Sequence, residues 1–166
     1  IFLQNDYSTI LLDGMPGSGK TEVYFDLIAK NISSKKQSLI LFPEVSLTNE
    51  FIKRVEERFG CAPDIWHSKI TPTKKRKIIE RVISGKSQIL IGARSALFLP
   101  FKNLGLLIVD EEHDSSYKQE EKGIYNARDM AVVRASIEKF LIILVSATPS
   151  LETLYNIDQK KYIHIK

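Results

Sequence analysis

Ile10-Leu11-Leu12-Asp13-Gly14-Met15-Pro16-Gly17-Ser18-Gly19-Lys20-Thr21 is the stretch that decides the fold. An apolar run passes into GxxxxGK[ST], matched at every fixed position, and an amphipathic segment comes next. The order predicts strand, phosphate-binding loop, helix. Glycines at 14, 17 and 19, with Ser18 between them, let successive backbone N–H groups turn inward around phosphates; Lys20 supplies a point charge to the β/γ oxygens, and the Thr21 hydroxyl can ligate magnesium. The helix expected from Lys20 adds its positive N-terminal end to the same place. A glycine-rich turn with no ligand is the plainer alternative.

Outward from that loop, short apolar runs alternate with longer amphipathic segments. The runs predict strands at Ile10–Asp13, Ser38–Phe42, Asp64–His67, Gln88–Ile91, Leu106–Val109 and Leu141–Val145. Helices are expected at Lys20–Asn31, Ser46–Phe59, Thr73–Ser84 and Ala127–Glu138. Continuous apolar strands separated by helices imply a mostly parallel central sheet covered on both faces, a three-layer α/β sandwich. One connection, Glu111 to Tyr125, is too long for a simple turn and reads as functional or mobile.

At the end of the fifth run stands Asp110-Glu111-Glu112-His113. An acid at the carboxyl end of a buried strand lies beside a phosphate loop in such sheets. Asp110 can then hold magnesium through water, Glu111 can orient or deprotonate an attacking water, and His113 sits one step further out as a link to a neighbour. Three acids and a histidine alone would be a solvated loop; their coincidence with the phosphate loop predicts two halves of one hydrolytic site. After the sixth run comes Ser146-Ala147-Thr148-Pro149-Ser150, whose small hydroxyls can bond both a catalytic acid and backbone. Pro149 ends the ladder there, and Ser150 is a candidate helix cap.

Composition narrows the class. The chain has 166 residues, 43% hydrophobic and 27% charged, ordinary for a globular domain. No apolar run approaches a membrane span, no signal peptide is expected at Ile1, and a single cysteine, Cys61, suits a reducing cytoplasm. Without an initiator Met the chain reads as a fragment of a longer protein. Net charge is +4; Lys69, Lys74, Lys75, Arg76, Lys77, Arg81 and Lys86 crowd one expected helix, which reads first as a solvated face.

The segments Gly14–Tyr24 (GMPGSGKTEVY), Gly92–Phe101 (GARSALFLPF), Asp110–Gln119 (DEEHDSSYKQ), Tyr125–Ala135 (YNARDMAVVRA) and Ser146–Glu152 (SATPSLE) together resemble the PriA family of bacterial primosomal replication-restart DNA helicases, superfamily 2 proteins of the DExH type. The resemblance spans nearly the whole chain and is to the first RecA-like, P-loop NTPase motor domain only. It implies the ATP-binding lobe, residues 1–166, of a 3′–5′ DNA helicase that couples ATP hydrolysis to movement on single-stranded DNA during replication restart and primosome assembly at stalled forks. Carried over, Gly14, Gly17, Ser18, Gly19, Lys20 and Thr21 bind ATP, Thr21 and Asp110 magnesium, Lys20, Asp110 and Glu111 act with His113 in hydrolysis, and Ser146 and Thr148 couple hydrolysis to movement.

An aromatic-rich loop that senses single-stranded DNA in that family falls here within 115–125. Tyr117, Tyr125, Lys118 and Lys122 offer stacking faces and cations, with Arg94 and Ser95 as weaker backbone contacts. Packing of the tyrosines onto the domain, and an ion pair for Arg94, are the alternatives. The resemblance also implies forked DNA, primosome proteins and single-strand-binding protein as partners, a cytoplasmic, nucleoid-associated monomer, and no membrane. Zinc belongs to the full-length family and is not expected in this fragment. Pro16 stands where that family usually has threonine, and the second lobe with its arginine finger is missing, so weak nucleotide binding and poor hydrolysis are expected of this chain alone. Two other classes stay open: a non-catalytic nucleic-acid-binding module using the basic helix, and a small P-loop kinase.

Overall fold

The computed structural model describes residues 7–43, 48–120 and 123–166. Seven strands, β1 (Ser8–Asp13), β2 (Gln37–Leu41), β3 (Asp64–Trp66), β4 (Ile89–Gly92), β5 (Leu104–Val109), β8 (Leu141–Ser146) and β9 (Ile163–Ile165), form one sheet in the order β3-β4-β2-β5-β8-β1-β9. Every pairing in it is parallel. Antiparallel pairing occurs, among the described residues, in a separate hairpin of β6 (Lys118–Gln119) and β7 (Tyr125–Asn126). This small hairpin lies inside the long connection expected from Glu111 to Tyr125.

Among the described residues five α-helices accompany the strands: α1 (Lys20–Ser33), α2 (Asn49–Phe59), α3 (Pro72–Ser84), α4 (Ala127–Glu138) and α5 (Leu151–Asp158). The expected start of α2 at Ser46 lies outside the described residues. Alternate residues of each strand feed two cores. Leu11, Leu39, Leu41, Leu107, Val109, Ile142 and Leu144 pack toward Ile78 and Val82 of α3 and the alanine stripe Ala127, Ala131, Ala135 of α4. Ile10, Leu12, Ile40, Ile108 and Ile143 pack toward Tyr24, Phe25 and Ile28 of α1 and Val55 of α2. The result is the three-layer α/β/α sandwich that the continuous apolar strands require.

Local sequence sets most helix ends. Thr48, Thr71, Asn126 and Ser150 accept side-chain cap bonds from backbone N–H groups of α2, α3, α4 and α5. Gly60 and Gly85, at φ 68° and 79°, end α2 and α3 in the left-handed region. The helix α1 differs: its cap is Gly19, with no side-chain cap bond. Its first-turn amides face the loop that precedes it. No helix among the described residues is long and apolar enough to cross a membrane.

Candidate nucleotide site

The phosphate loop runs from the carboxyl end of β1 into α1. Gly17 and Gly19 hold φ of 79° and 86°, and a Cβ built at either meets nothing within 4 Å. Conformation, not crowding, therefore demands glycine here, and open space lies over the backbone where phosphate oxygens would rest. The loop is pinned at its start by Gly14 N–H, which donates to the Ser146 carbonyl at 3.2 Å, and closed by Ser18 N–H to Met15 O at 3.1 Å. The Lys20 ammonium donates to Gly14 O and, at 3.0 Å, to Met15 O. It thus lies across the mouth of the loop, where phosphate oxygens can exchange with those carbonyls. Pro16 precedes the left-handed glycines on this exposed turn, and the two hydrogen bonds closing the loop use other donors.

Asp110 follows β5 directly. Its Oδ1 accepts from Glu111 N–H at 3.0 Å and its Oδ2 from the Tyr24 hydroxyl at 3.1 Å. Burial pushes its carboxyl up to about 6, against the lowering effect of those two hydrogen bonds. Burial, and with it the Asp110 charge, raises the pKa of the Tyr24 hydroxyl far above the usual phenol range, with the Thr21 side chain acting in the opposite direction. Through its hydroxyl Tyr24 ties α1, the helix that carries Thr21, to Asp110. Sequence reasoning missed it, although its place one helical turn past Lys20 was a usable signal.

No group of three or more His, Cys, Asp or Glu able to hold a metal ion by itself occurs among the described residues. A hydroxyl and a single carboxylate fit a magnesium ion shared with nucleotide phosphates, which supply most of its oxygens. ATP and magnesium therefore fit the residues present.

Glu111 adopts a left-handed φ of 49°, an uncommon conformation for a residue with a Cβ. The turn is held by Asp114 N–H to Glu111 O at 2.8 Å and Glu112 N–H to Val145 O at 3.0 Å. It sends His113 toward β8. There His113 Nδ1 lies 2.7 Å from Ser146 Oγ and 3.6 Å from a Glu111 carboxylate oxygen. Ser146 Oγ also accepts from Thr148 N–H at 3.0 Å. One residue thus meets all three segments, because β8 lies between β1 and β5.

Glu112 is buried, where a run of three acids alone would form a solvated loop. Its carboxylate accepts from Ser150 N–H at 2.7 Å, Thr153 Oγ1 at 2.9 Å, Ser150 Oγ at 3.0 Å and Arg128 at 3.2 Å. The Arg128 side chain, also buried, reaches Asp129 at 2.8 Å as well. This network bolts the DEEH turn to the start of α4 and to the segment after β8.

The DNA candidates divide. Tyr117 is corrected: its ring is fully buried, and its hydroxyl donates to Leu41 O at 2.9 Å and Asp110 O at 2.5 Å. A ring sealed against the ends of β2 and β5 has no free face for a base; it supports the turn that carries Asp110. Lys118 is exposed and pairs with Glu120 at 3.3 Å. Arg94 is half-buried, and its guanidinium donates to Lys118 O at 2.7 Å, which fixes the hairpin in place of the ion pair considered from sequence. Ser95 Oγ accepts from the Trp66 indole at 3.0 Å. Tyr125 is partly buried edge-on against Phe98, ring centres 5.4 Å apart; Lys122 lies outside the described residues. Arg81 of the basic helix is committed to Asp64 at 2.9 Å.

Comparison with known proteins agrees with this geometry. Residues 3–157 match the DEAD/DEAH box helicase family. The chain is 54% identical over 92% of its length to the replication restart protein PriA of Rickettsia felis, and 45% identical over 99% to that of Haemophilus influenzae. It spans about a quarter of the length of those relatives, 24% and 23% respectively. Among solved structures, RecG bound to a three-way DNA junction superposes with TM-score 0.66 at 25% identity, over 93% of this chain and 20% of that one. The helicase MrfA shares the fold, with TM-score 0.63 at 19% identity over 96% of this chain and 27% of that one. A RecA-like sandwich with its phosphate loop and DEEH turn joined through Ser146 thus carries a matching sequence over nearly its whole length, and the chain belongs to the DEAD/DEAH box helicase family.

Proposed function

We propose that this chain is the ATP-binding motor lobe of a longer 3′–5′ DNA helicase, acting in replication restart and primosome assembly at stalled forks. The observation that carries it is Ser146, whose carbonyl receives the phosphate loop and whose hydroxyl meets the histidine of the DEEH turn. In this reading Gly14, Gly17, Ser18, Gly19, Lys20 and Thr21 hold the phosphates, and Thr21 and Asp110 hold the metal. Glu111 orients the attacking water, while His113, Ser146 and Thr148 relay the state of the site into the segment leading to α5. Bound magnesium and ATP supply the phosphoanhydride cleavage and the charge neutralisation around it.

Single-stranded and forked DNA, primosome proteins and single-strand-binding protein are the proposed partners, in the bacterial cytoplasm close to the nucleoid, with the protein a monomer. The close likeness to PriA proteins supports the process, and the RecG junction complex supports a DNA substrate. The test is titration of the chain with a fluorescent ADP analogue and magnesium beside Lys20→Ala. Saturable binding lost in the variant supports the site; equal binding in both removes the phosphate loop from the proposal. DNA-stimulated hydrolysis, read in a two-lobe protein, then tests the motor, since one lobe lacks the partner lobe's charge-stabilising group.

A further inference from the structure

We infer that His164 and Asp13 form a positioning pair that holds the threshold of the phosphate loop from the outer edge of the sheet. On its inner side β1 is laddered to β8 through six register pairs, the last being Asp13 with Ser146. On its outer side the ladder to β9 runs from Ile10 with Ile163 to Leu12 with Ile165 and stops there. Asp13, the last residue before Gly14, is therefore one step beyond the backbone register on that side. A side chain continues where the ladder ends: His164 Nε2 lies 3.0 Å from Asp13 Oδ2. The contact is half sheltered, the two side chains being 25% and 21% exposed.

Charge and connectivity give this contact two consequences. Asp13 adjoins Gly14, whose carbonyl receives the Lys20 ammonium, so freedom at Asp13 passes directly to the residue that anchors the loop. Its carboxylate also stands beside a loop built for anions, and a carboxylate free to swing inward would repel phosphate. His164 draws that charge outward onto β9. The clamp is supplied by β9, which lies past residue 157, where the match to the helicase family model ends.

The effect on nucleotide rests on the phosphate-binding role proposed above; the effect on the loop does not. Hydrogen exchange of residues 14–19 in the nucleotide-free chain and fluorescent ADP titration with magnesium are therefore measured together. The proteins are wild type, His164→Ala, His164→Gln, Asp13→Asn and the double variant His164→Ala with Asp13→Asn. His164→Ala should speed loop exchange and weaken ADP about five- to tenfold, as expected for a partly exposed charge-assisted hydrogen bond. His164→Gln, whose amide can donate the same bond, should stay within about twofold of wild type, showing that β9 still folds. Asp13→Asn keeps an acceptor for His164 and should bind ADP within about twofold of wild type; in the double variant ADP binding should recover relative to His164→Ala, since the repelling carboxylate is gone, while loop exchange stays fast, since the clamp is lost. Additive losses in the double variant, or unchanged loop exchange in His164→Ala, overturn the inference. Altered exchange with no ADP binding in any protein upholds the pair and defeats the nucleotide role instead.

Discussion

Glu112→Ala tests whether the site is held by a buried charge network, because it removes an acceptor on which four hydrogen bonds converge. The Arg128 side chain is 7% exposed and the Glu112 side chain 0%. Truncation leaves the guanidinium with two largely exposed carboxylates, Asp129 at 2.8 Å and Glu152 at 3.8 Å, and strips Ser150 N–H and Thr153 Oγ1 of their acceptor. Removing one partner of a buried pair costs about 3–5 kcal/mol, chiefly because the other charge stays buried. For a domain of 166 residues, at about 2–4 °C per kcal/mol, the melting temperature should fall by about 6–20 °C. Glu112→Gln keeps one oxygen acceptor and the shape, and should cost about half as much. Replacing both partners, Glu112→Leu with Arg128→Met, should recover most of the loss, since an apolar pair of similar volume avoids desolvating two charges. Urea denaturation of wild type and the three variants measures this directly. A loss below about 1 kcal/mol for Glu112→Ala would refute the argument, as would a double variant no more stable than the single.

The same contacts carry other expectations. Asp110 binds its proton more tightly folded, near 6, than at its ordinary 3.8. Its contribution is therefore fully present below about pH 4 and is lost as pH rises through 6. Asp110→Asn should then be more stable than wild type at pH 7.5 by about 1–2 kcal/mol, with the gain vanishing near pH 4, while magnesium-dependent nucleotide binding falls; a variant less stable at pH 7.5 contradicts this. Tyr117→Phe should cost about 1–2 kcal/mol for the two lost carbonyl bonds, without changing DNA affinity of a two-lobe protein; a large loss of DNA binding at unchanged stability would restore Tyr117 as a contact. Tyr24→Phe should bring the Asp110 carboxyl higher still, seen as a shift of its titration by NMR, because a hydrogen bond that lowers it is gone.

Much of the fold was legible in the sequence for one physical reason: strands buried on both faces must be continuous apolar runs, and those runs place β2, β5 and β8 to within two residues. Helix α4 runs from Ala127 to Glu138 as expected, its alanines spaced for close packing on the sheet. The parts that the sequence hid have equally definite causes. Helix α5 buries only Thr153 and leaves Leu151 and Tyr155 largely exposed, so no apolar stripe announces it. Strand β9 is three residues with a histidine at its centre, and the hairpin strands are two residues each, too short for any period. Tyr117 sits among polar residues and looks available for stacking; only the left-handed turn at Glu111 reveals that the chain doubles back and buries it. Glu112 is invisible for a different reason, since its partners at 128, 150 and 153 converge only in three dimensions.

The strand order explains why these hidden residues matter more than their positions suggest. A phosphate loop after β1 and an acid after β5 are not neighbours; β8 separates them. Any hydrolytic site assembled from the two must be bridged at the carboxyl end of β8, and Ser146 does so with its carbonyl on one side and its hydroxyl on the other. The residues just beyond it are tied down by Glu112, which belongs to the DEEH turn itself. Strand β8 is thus fixed from both flanks at its carboxyl end, and in the proposed relay a change in His113 or in the loop would pass into the segment from Thr148 into α5. That predicts a separation of effects: Ser146→Ala removes the hydroxyl contacts to His113 and Thr148 but keeps the carbonyl that anchors Gly14. ADP affinity should remain within about threefold of wild type, whereas DNA-stimulated hydrolysis in a two-lobe protein should fall by at least about tenfold. Equal losses in both would mean that the hydroxyl serves the loop as much as the carbonyl does, and that the division between holding the nucleotide and relaying its state is not drawn at this residue.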